Sequence, residues 1–301
     1  MKENRKGMVL ASFVGDSLAL GVHWIYDTAR IEKEFGRVNR LLKPAADSYH
    51  RTKQRGGFTH YGDQAFVLLE SLAAKRGFDL DDFATRWRRL FEDYDGYYDQ
   101  ATKATLQNFS LHKRPVDAGS PSSDLSGASR IAPLVFCYKD DLDTLVEAAK
   151  DQTRMTHNNP NVIDGAEFFA RVSWLVLRGT PPIPAIEEVS NERFDKSPLW
   201  QWVRDGIDSK TAESVSAIAR FGQSCQVDEA FAGVVHLIAK YENDLEEALV
   251  QAVMAGGDSA GRGMVVGMVL GAHLGEQALP EEWLSGLQRR GEIVDLLDKI
   301  G

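Results

Sequence analysis

The sequence predicts an all-α fold on three observations. Apolar residues recur at helical spacing along most of the chain. Strictly alternating strand patterns are scarce, and glycines four residues apart give one late segment a smooth helix face. The period is clearest in 244–253. There Leu245, Ala248, Leu249, Ala252 and Val253 follow i, i+3, i+4, i+7, i+8 opposite Glu246, Glu247 and Gln251.

In chain order the same reading places further helices near 7–20, 62–76, 80–94, 97–112, 128–137, 140–152, 162–178, 192–208, 211–220, 227–240, 259–275 and 280–299. In 259–275, Gly263, Gly267, Gly271 and Gly275 share one face, so another helix or a ligand can approach the backbone closely. The apolar run from Met264 to Leu274 is about half of a membrane span. Segments 40–61, 113–127 and 179–191 are expected to be irregular. The second is rich in Pro, Ser, Asp and Gly, as mobile functional loops often are. With no repeat, low-complexity tract or linker composition, residues 1–301 are expected to form one helical domain with loops gathered over a site.

A hydrophobic content of 43%, a charged content of 26% and a net charge of −9 describe an ordinary globular chain and argue against a nucleic-acid partner. The clusters Arg51-Lys53-Arg55 and Arg86-Arg88-Arg89 read as solvated faces. Cys137 and Cys225 match no metal or redox spacing and suit a reducing compartment. The amino-terminal apolar stretch stops at Asp16 without a convincing cleavage site, so a cytoplasmic protein with no membrane partner is expected. The oligomeric state is not readable.

Five segments can carry chemistry. In Met254–Gly263, Gly256 and Gly257 interrupt helix-compatible residues and Asp258 follows where a helix restarts. Such a carboxylate can face a cation or a polyhydroxyl substrate, or Asp258 or Ser259 can simply cap the helix. Gly56-Gly57 and then Asp63 repeat that design, with the same two readings. Asp16 lies between Val14 and Leu18, where a lone charge is costly, and is either a structural carboxylate or one facing a polar cavity. His23, Trp24 and Tyr26 follow it, lining a pocket or covering the core. Ser126, Gly127 and Ser129 lead into a helix and can offer amides and hydroxyls to phosphate, while Arg130 pairs with a phosphate or a buried carboxylate. His157 sits between two helices, just before Pro160, as a structural residue or one that holds substrate.

In this order Gly15-Asp16-Ser17-Leu18, Gly62-Asp63, Ser126 through Pro133, Thr156-His157 and Gly256-Gly257-Asp258 resemble the ADP-ribosylglycohydrolase family, from residue 15 to residue 272. The resemblance implies an all-α domain whose central cleft holds two magnesium ions. It also implies a hydrolase that cleaves an N- or O-glycosidic bond to small-molecule or protein-linked ADP-ribose, or a related nucleotide sugar. On it, Asp63 and Asp258 are the catalytic candidates and possible Mg2+ ligands. Asp16, Ser126, Gly127, Ser129, His157, Gly256 and Gly257 are the substrate-binding candidates.

The motifs also depart from the family. Where it has Thr-Asp-Asp-Thr this chain has Tyr61, Gly62, Asp63 and Gln64. Where it has Gly-Gly-Asp-Thr-Asp-Thr, Ser259, Ala260 and Gly261 follow Asp258. About two of the usual six oxygen ligands remain, so one magnesium ion or none is expected. Arg262, four residues after Asp258, can substitute its charge for a metal or point elsewhere. The alternative expectation is a metal-free, inactive relative that binds ADP-ribose-like ligands or has a structural role, like the J1 crystallins of this family.

Overall fold

Short polar residues and prolines mark where the helices begin. Asp79, Asp99, Asp141, Asn159, Ser197 and Asp244 each accept a backbone N–H in the first turn of the helix that follows. Pro160, Pro182 and Pro198 occupy first-turn positions, where no amide is needed.

The computed structural model describes residues 2–301. Its helices in order are α1 (Lys2–Ala19), α2 (Thr28–Phe35), α3 (His60–Lys75), α4 (Leu80–Leu90), α5 (Gln100–Ser110), α6 (Ser126–Ser129), α7 (Ala132–Cys137), α8 (Leu142–Arg154) and α9 (Pro160–Leu177). Then come α10 (Pro182–Arg193), α11 (Pro198–Asp208), α12 (Ser214–Phe221), α13 (Val227–Lys240), α14 (Leu245–Met254), α15 (Ser259–Leu274), α16 (Glu281–Gly286) and α17 (Arg290–Ile300). Among the described residues there is no strand, only the isolated bridges Ser120–His157 and Asp124–Gln226. The all-α expectation holds.

Three local expectations change. Segment 179–191, expected to be irregular, is mostly α10, whose Pro182 sits in the first turn rather than in a helix interior. Helix α2 was not anticipated; Asp27 caps it and Ile31 alone is buried. The helix expected over 192–208 divides at Ser197, and that over 280–299 divides after Gly286.

One cluster of buried side chains runs from Met8 to Leu297, with α15 at its centre, buried from Ser259 to Ala272. α1 and α15 form the most extensive helix pair. The glycine face of α15 is what permits it: a Cβ on Gly267 would lie 2.2 Å from the Ala11 carbonyl oxygen. The partner of that face is therefore α1. Because α1 carries Asp16 and α15 begins after Asp258, this contact sets two of the predicted site residues. No helix is long and apolar enough to cross a membrane.

Candidate functional site

Asp258 occupies the N-cap position of α15, yet its side chain makes no capping hydrogen bond. It is 1% exposed, and neither carboxylate oxygen has a hydrogen-bond partner. Gly256 and Gly257 hold it there at φ of +67° and +63°. A Cβ on Gly257 would lie 2.1 Å from the Gln223 carbonyl oxygen. The freedom of glycine lets the chain pass between that residue and 24–25, where Trp24 N–H donates to Gly257 O and Gly257 N–H to Ile25 O, both at 2.9 Å. The paired glycines thus shape the backbone around Asp258.

His23 faces this carboxylate, with Nε2 at 3.6 Å from Asp258 Oδ1. Its Nδ1 accepts the Ala260 amide at 3.3 Å, so the neutral ring carries its hydrogen on Nε2, toward Asp258. Burial drives His23 well below its ordinary pKa. Burial, reinforced by Asp124, drives Asp258 well above its own. Arg262 is equally buried. One of its nitrogens donates to the carbonyls of Ala252, at 2.9 Å, and of Gly256, closing the end of α14. It holds no hydrogen bond to Asp258, although its charge opposes the rise in the Asp258 pKa. Burial lowers the Arg262 pKa to about 10, so it stays charged at neutral pH.

Tyr61 connects this corner to a second group. Its ring stands edge-on to His23 at 5.6 Å and tilted against His60 at 4.1 Å, and its hydroxyl donates to Asp124 Oδ2 at 3.3 Å. One ligand atom each from Asp99, Asp124 and His157 lies within 4.8 Å of the others. His60 Nε2 is 3.3 Å from Asp99 Oδ2. Burial raises the Asp124 pKa. Burial opposes ionisation of Asp99 too, but His60, His157 and the Thr102 amide together lower the Asp99 pKa. Trp24, at φ +65°, stacks on His23 at 4.5 Å and meets Tyr49 and Tyr97 edge-on. A cavity of about 210 Å³ opens beside His23 and Trp24, lined also by Tyr26, Arg30, Asp47 and Tyr49.

The other sequence candidates fall elsewhere or serve this frame. Asp63 is not the cap of α3; Thr59 is. Asp63 Oδ2 is held by Lys53 Nζ at 2.6 Å and by the Tyr94 hydroxyl at 2.6 Å. It faces a surface depression with Glu70, Arg86, Arg89 and Arg289, so the structure does not bring it together with Asp258. Asp16 accepts from the Thr59 amide at 2.8 Å and from its hydroxyl, anchoring the start of α3 to α1. Burial, opposed by those bonds, pushes Asp16 up to about 6.

The amides of Ser126, Gly127, Ala128 and Ser129 are bonded to Asp124 and Leu125, so none is free for an anion. The Ser129 hydroxyl donates to Ser126 O. A Cβ on Gly127 would lie 2.6 Å from the His157 ring, so its role is to admit that ring. Arg130 donates to Gln64 and, at 2.6 Å, to Thr156 Oγ1. His157, expected between two helices, lies between α8 and α9 and inside the cluster. Sequence reasoning did not single out Asp99, Asp124, His60 or Tyr61. The one local signal for Asp99 was an Asp at a helix start, a position it holds on α5.

At the magnesium positions implied by the resemblance, Gly62 has no side chain, and a Cβ there would lie 2.5 Å from Asp16 Oδ2. Asp63 already holds an ammonium, and Ala260 and Gly261 offer no side-chain oxygen. These residues do not fit a pair of hard cations, which need several oxygen ligands each.

Comparison with known proteins agrees with the fold. The family model described as ADP-ribosylglycohydrolase matches residues 1–301. Crystallin J1A of Tripedalia cystophora is 26% identical over 99% of this chain and 96% of its own. ADP-ribosylhydrolase ARH3 of Mus musculus is 21% identical over 92% of this chain and 85% of its own. A solved structure titled ADP-ribosylglycohydrolase-related protein complex superposes with a TM-score of 0.82 at 26% identity, covering 99% of this chain and 97% of the other. With its whole length matched and its helices arranged in the same way, the chain belongs to the ADP-ribosylglycohydrolase family.

Proposed function

We propose that the chain hydrolyses a glycosidic bond to ADP-ribose or a related nucleotide sugar, free or protein-linked, with Asp258 as the reacting carboxyl. The observation that carries this is the Asp258 carboxylate itself, buried with both oxygens unpartnered. An unsatisfied buried polar group costs about 1–3 kcal/mol, and such groups in folded proteins call for a functional explanation. Family membership supports a hydrolase-like activity.

The roles follow from the environment. Burial raises the Asp258 pKa and so favours its acid form, the form able to give a proton to a departing group. The Nε2–H of His23 faces Asp258 from 3.6 Å. The attacking water would enter from the side of Tyr61, whose hydroxyl bonds Asp124. Asp63 supports this frame from outside it, through Lys53 and Tyr94. No step runs through magnesium. Release of ADP-ribose from modified arginine, modified serine and acetyl-ester substrates, with and without Mg2+, tests the reading. No turnover on any of them sinks it.

A second reading, a relative that binds such a ligand without turnover or serves a structural role, draws on the Lys53 ammonium at Asp63 and the buried Arg262 charge near Asp258. Crystallins J1A and J1B are among the similar proteins. A thermal shift with ADP-ribose that ignores EDTA, without turnover, favours it.

A further inference from the structure

We propose that Asp99, Asp124 and His157 bind one divalent transition-metal ion of the borderline class that accepts mixed carboxylate and imidazole ligands, such as Zn2+ or Co2+. The three residues come from separate places in the chain. Asp99 caps α5, Asp124 lies just before α6, and His157 lies between α8 and α9. Each carboxylate has one oxygen fixed by a backbone amide: Asp99 Oδ1 by Thr102 N–H at 2.7 Å, and Asp124 Oδ1 by Ser126 N–H at 2.8 Å. Asp99 Oδ2 has only the 3.3 Å contact from His60 Nε2, and Asp124 Oδ2 takes a long bond from Tyr61, with the Cys225 side chain a further partner of Asp124.

His157 supplies the independent observation. It is 2% exposed and its Nε2 has no partner. Its Nδ1 is 2.8 Å from Thr156 Oγ1, which also accepts from Arg130 and lies 3.5 Å from Thr153 O. All three contacts are satisfied together when Nδ1–H donates to Thr156 and the Thr156 hydroxyl donates to Thr153. That tautomer leaves a lone pair on Nε2, which no hydrogen bond uses. Three such atoms within 4.8 Å of one another form a donor set that a single cation can bridge. Arg130 is near enough to act electrostatically on both carboxylates, but its hydrogen bonds go to Gln64 and Thr156.

Metal bonds of about 2.0–2.2 Å require the three ligand atoms to draw together by no more than about 1.5 Å. An imidazole in the set favours a borderline ion over magnesium, and three protein ligands leave a coordination position open. Thr156 behind His157, and His60 beside Asp99, are the outer contacts that fix such ligands.

The test uses the whole chain, stripped with a chelator and titrated with Co2+. Visible d–d absorption saturating at one ion per chain is expected, displaced by Zn2+ and untouched by excess Mg2+. Asp99→Asn and His157→Ala should each weaken Co2+ binding by more than the roughly 10–100-fold that loss of an outer contact causes. No Co2+ band in the wild type, or a band that survives both substitutions, overturns the site. Should the variants fail to fold, X-ray absorption of the Zn2+-loaded wild type decides: one imidazole with oxygen ligands is expected, and a sulfur ligand or several imidazoles contradict it. Binding is read without turnover. A chain that takes up Co2+ but releases no ADP-ribose keeps this site and loses the hydrolase reading, and the converse result does the reverse.

Discussion

His23 Nε2 stands 3.6 Å from Asp258 Oδ1 while His23 Nδ1 accepts the Ala260 amide, so one imidazole ties the end of α1 to the start of α15 and turns its only hydrogen toward the unpartnered carboxyl. His23→Phe keeps a ring against Trp24 but leaves the buried Ala260 amide without an acceptor. A loss of about 1–3 kcal/mol in urea unfolding is expected. Unchanged stability would show that the imidazole does not hold this junction.

The Asp16 carboxyl predicts a pH dependence. Its folded pKa, about 6, lies above its ordinary 3.8, so between those values the folded state holds more protons than the unfolded one. Its contribution to stability is therefore complete at low pH and declines as pH rises through 6. The decline amounts to about 3 kcal/mol. Asp16→Asn keeps the shape and removes the titration. Relative to this variant, wild-type unfolding free energy should fall between pH 4 and pH 7, and parallel profiles would refute the assignment.

Packing of α15 on α1 leaves no space for a side chain at Gly267. Gly267→Ala should destabilise by about 1–3 kcal/mol through overpacking, with the α1 backbone displaced. A calorimetric melting temperature equal to that of the wild type would mean the helices can part without loss.

Lys53 and Asp63, both mostly buried, should contribute between an exposed and a fully buried ion pair. Lys53→Met is expected to lose about 1–2 kcal/mol. Much of that should be absent when Asp63 is already Asn, as a double-mutant cycle in denaturant would read. Additive losses would show that the two residues act independently.

How much of this was legible followed from how local each signal was. The break at Gly256-Gly257-Asp258, the glycine face meeting α1 and the position of His157 between helices are written in contiguous residues, and the sequence shows them. Asp99, Asp124 and His157 meet only through tertiary packing of three elements, and no spacing announces them. The surroundings of Asp63 were hidden for a related reason. Its motif resembles that of Asp258, but the direction of its side chain is decided by Lys53 and Tyr94, far from it in any local pattern. α10 was hidden because proline signals both a loop and a helix start, and only the position in the turn separates the two.

The central claim is that Asp258, rather than Asp63, meets the reacting bond. The direct measurement is ADP-ribose release by the wild type, Asp258→Asn and Asp63→Asn, with ligand binding followed by thermal shift in all three. The account predicts that Asp258→Asn loses about 10²–10⁴-fold in turnover while still binding ADP-ribose, with Asp63→Asn within about 10-fold of wild type. Full activity in Asp258→Asn, or loss of activity confined to Asp63→Asn, would contradict it.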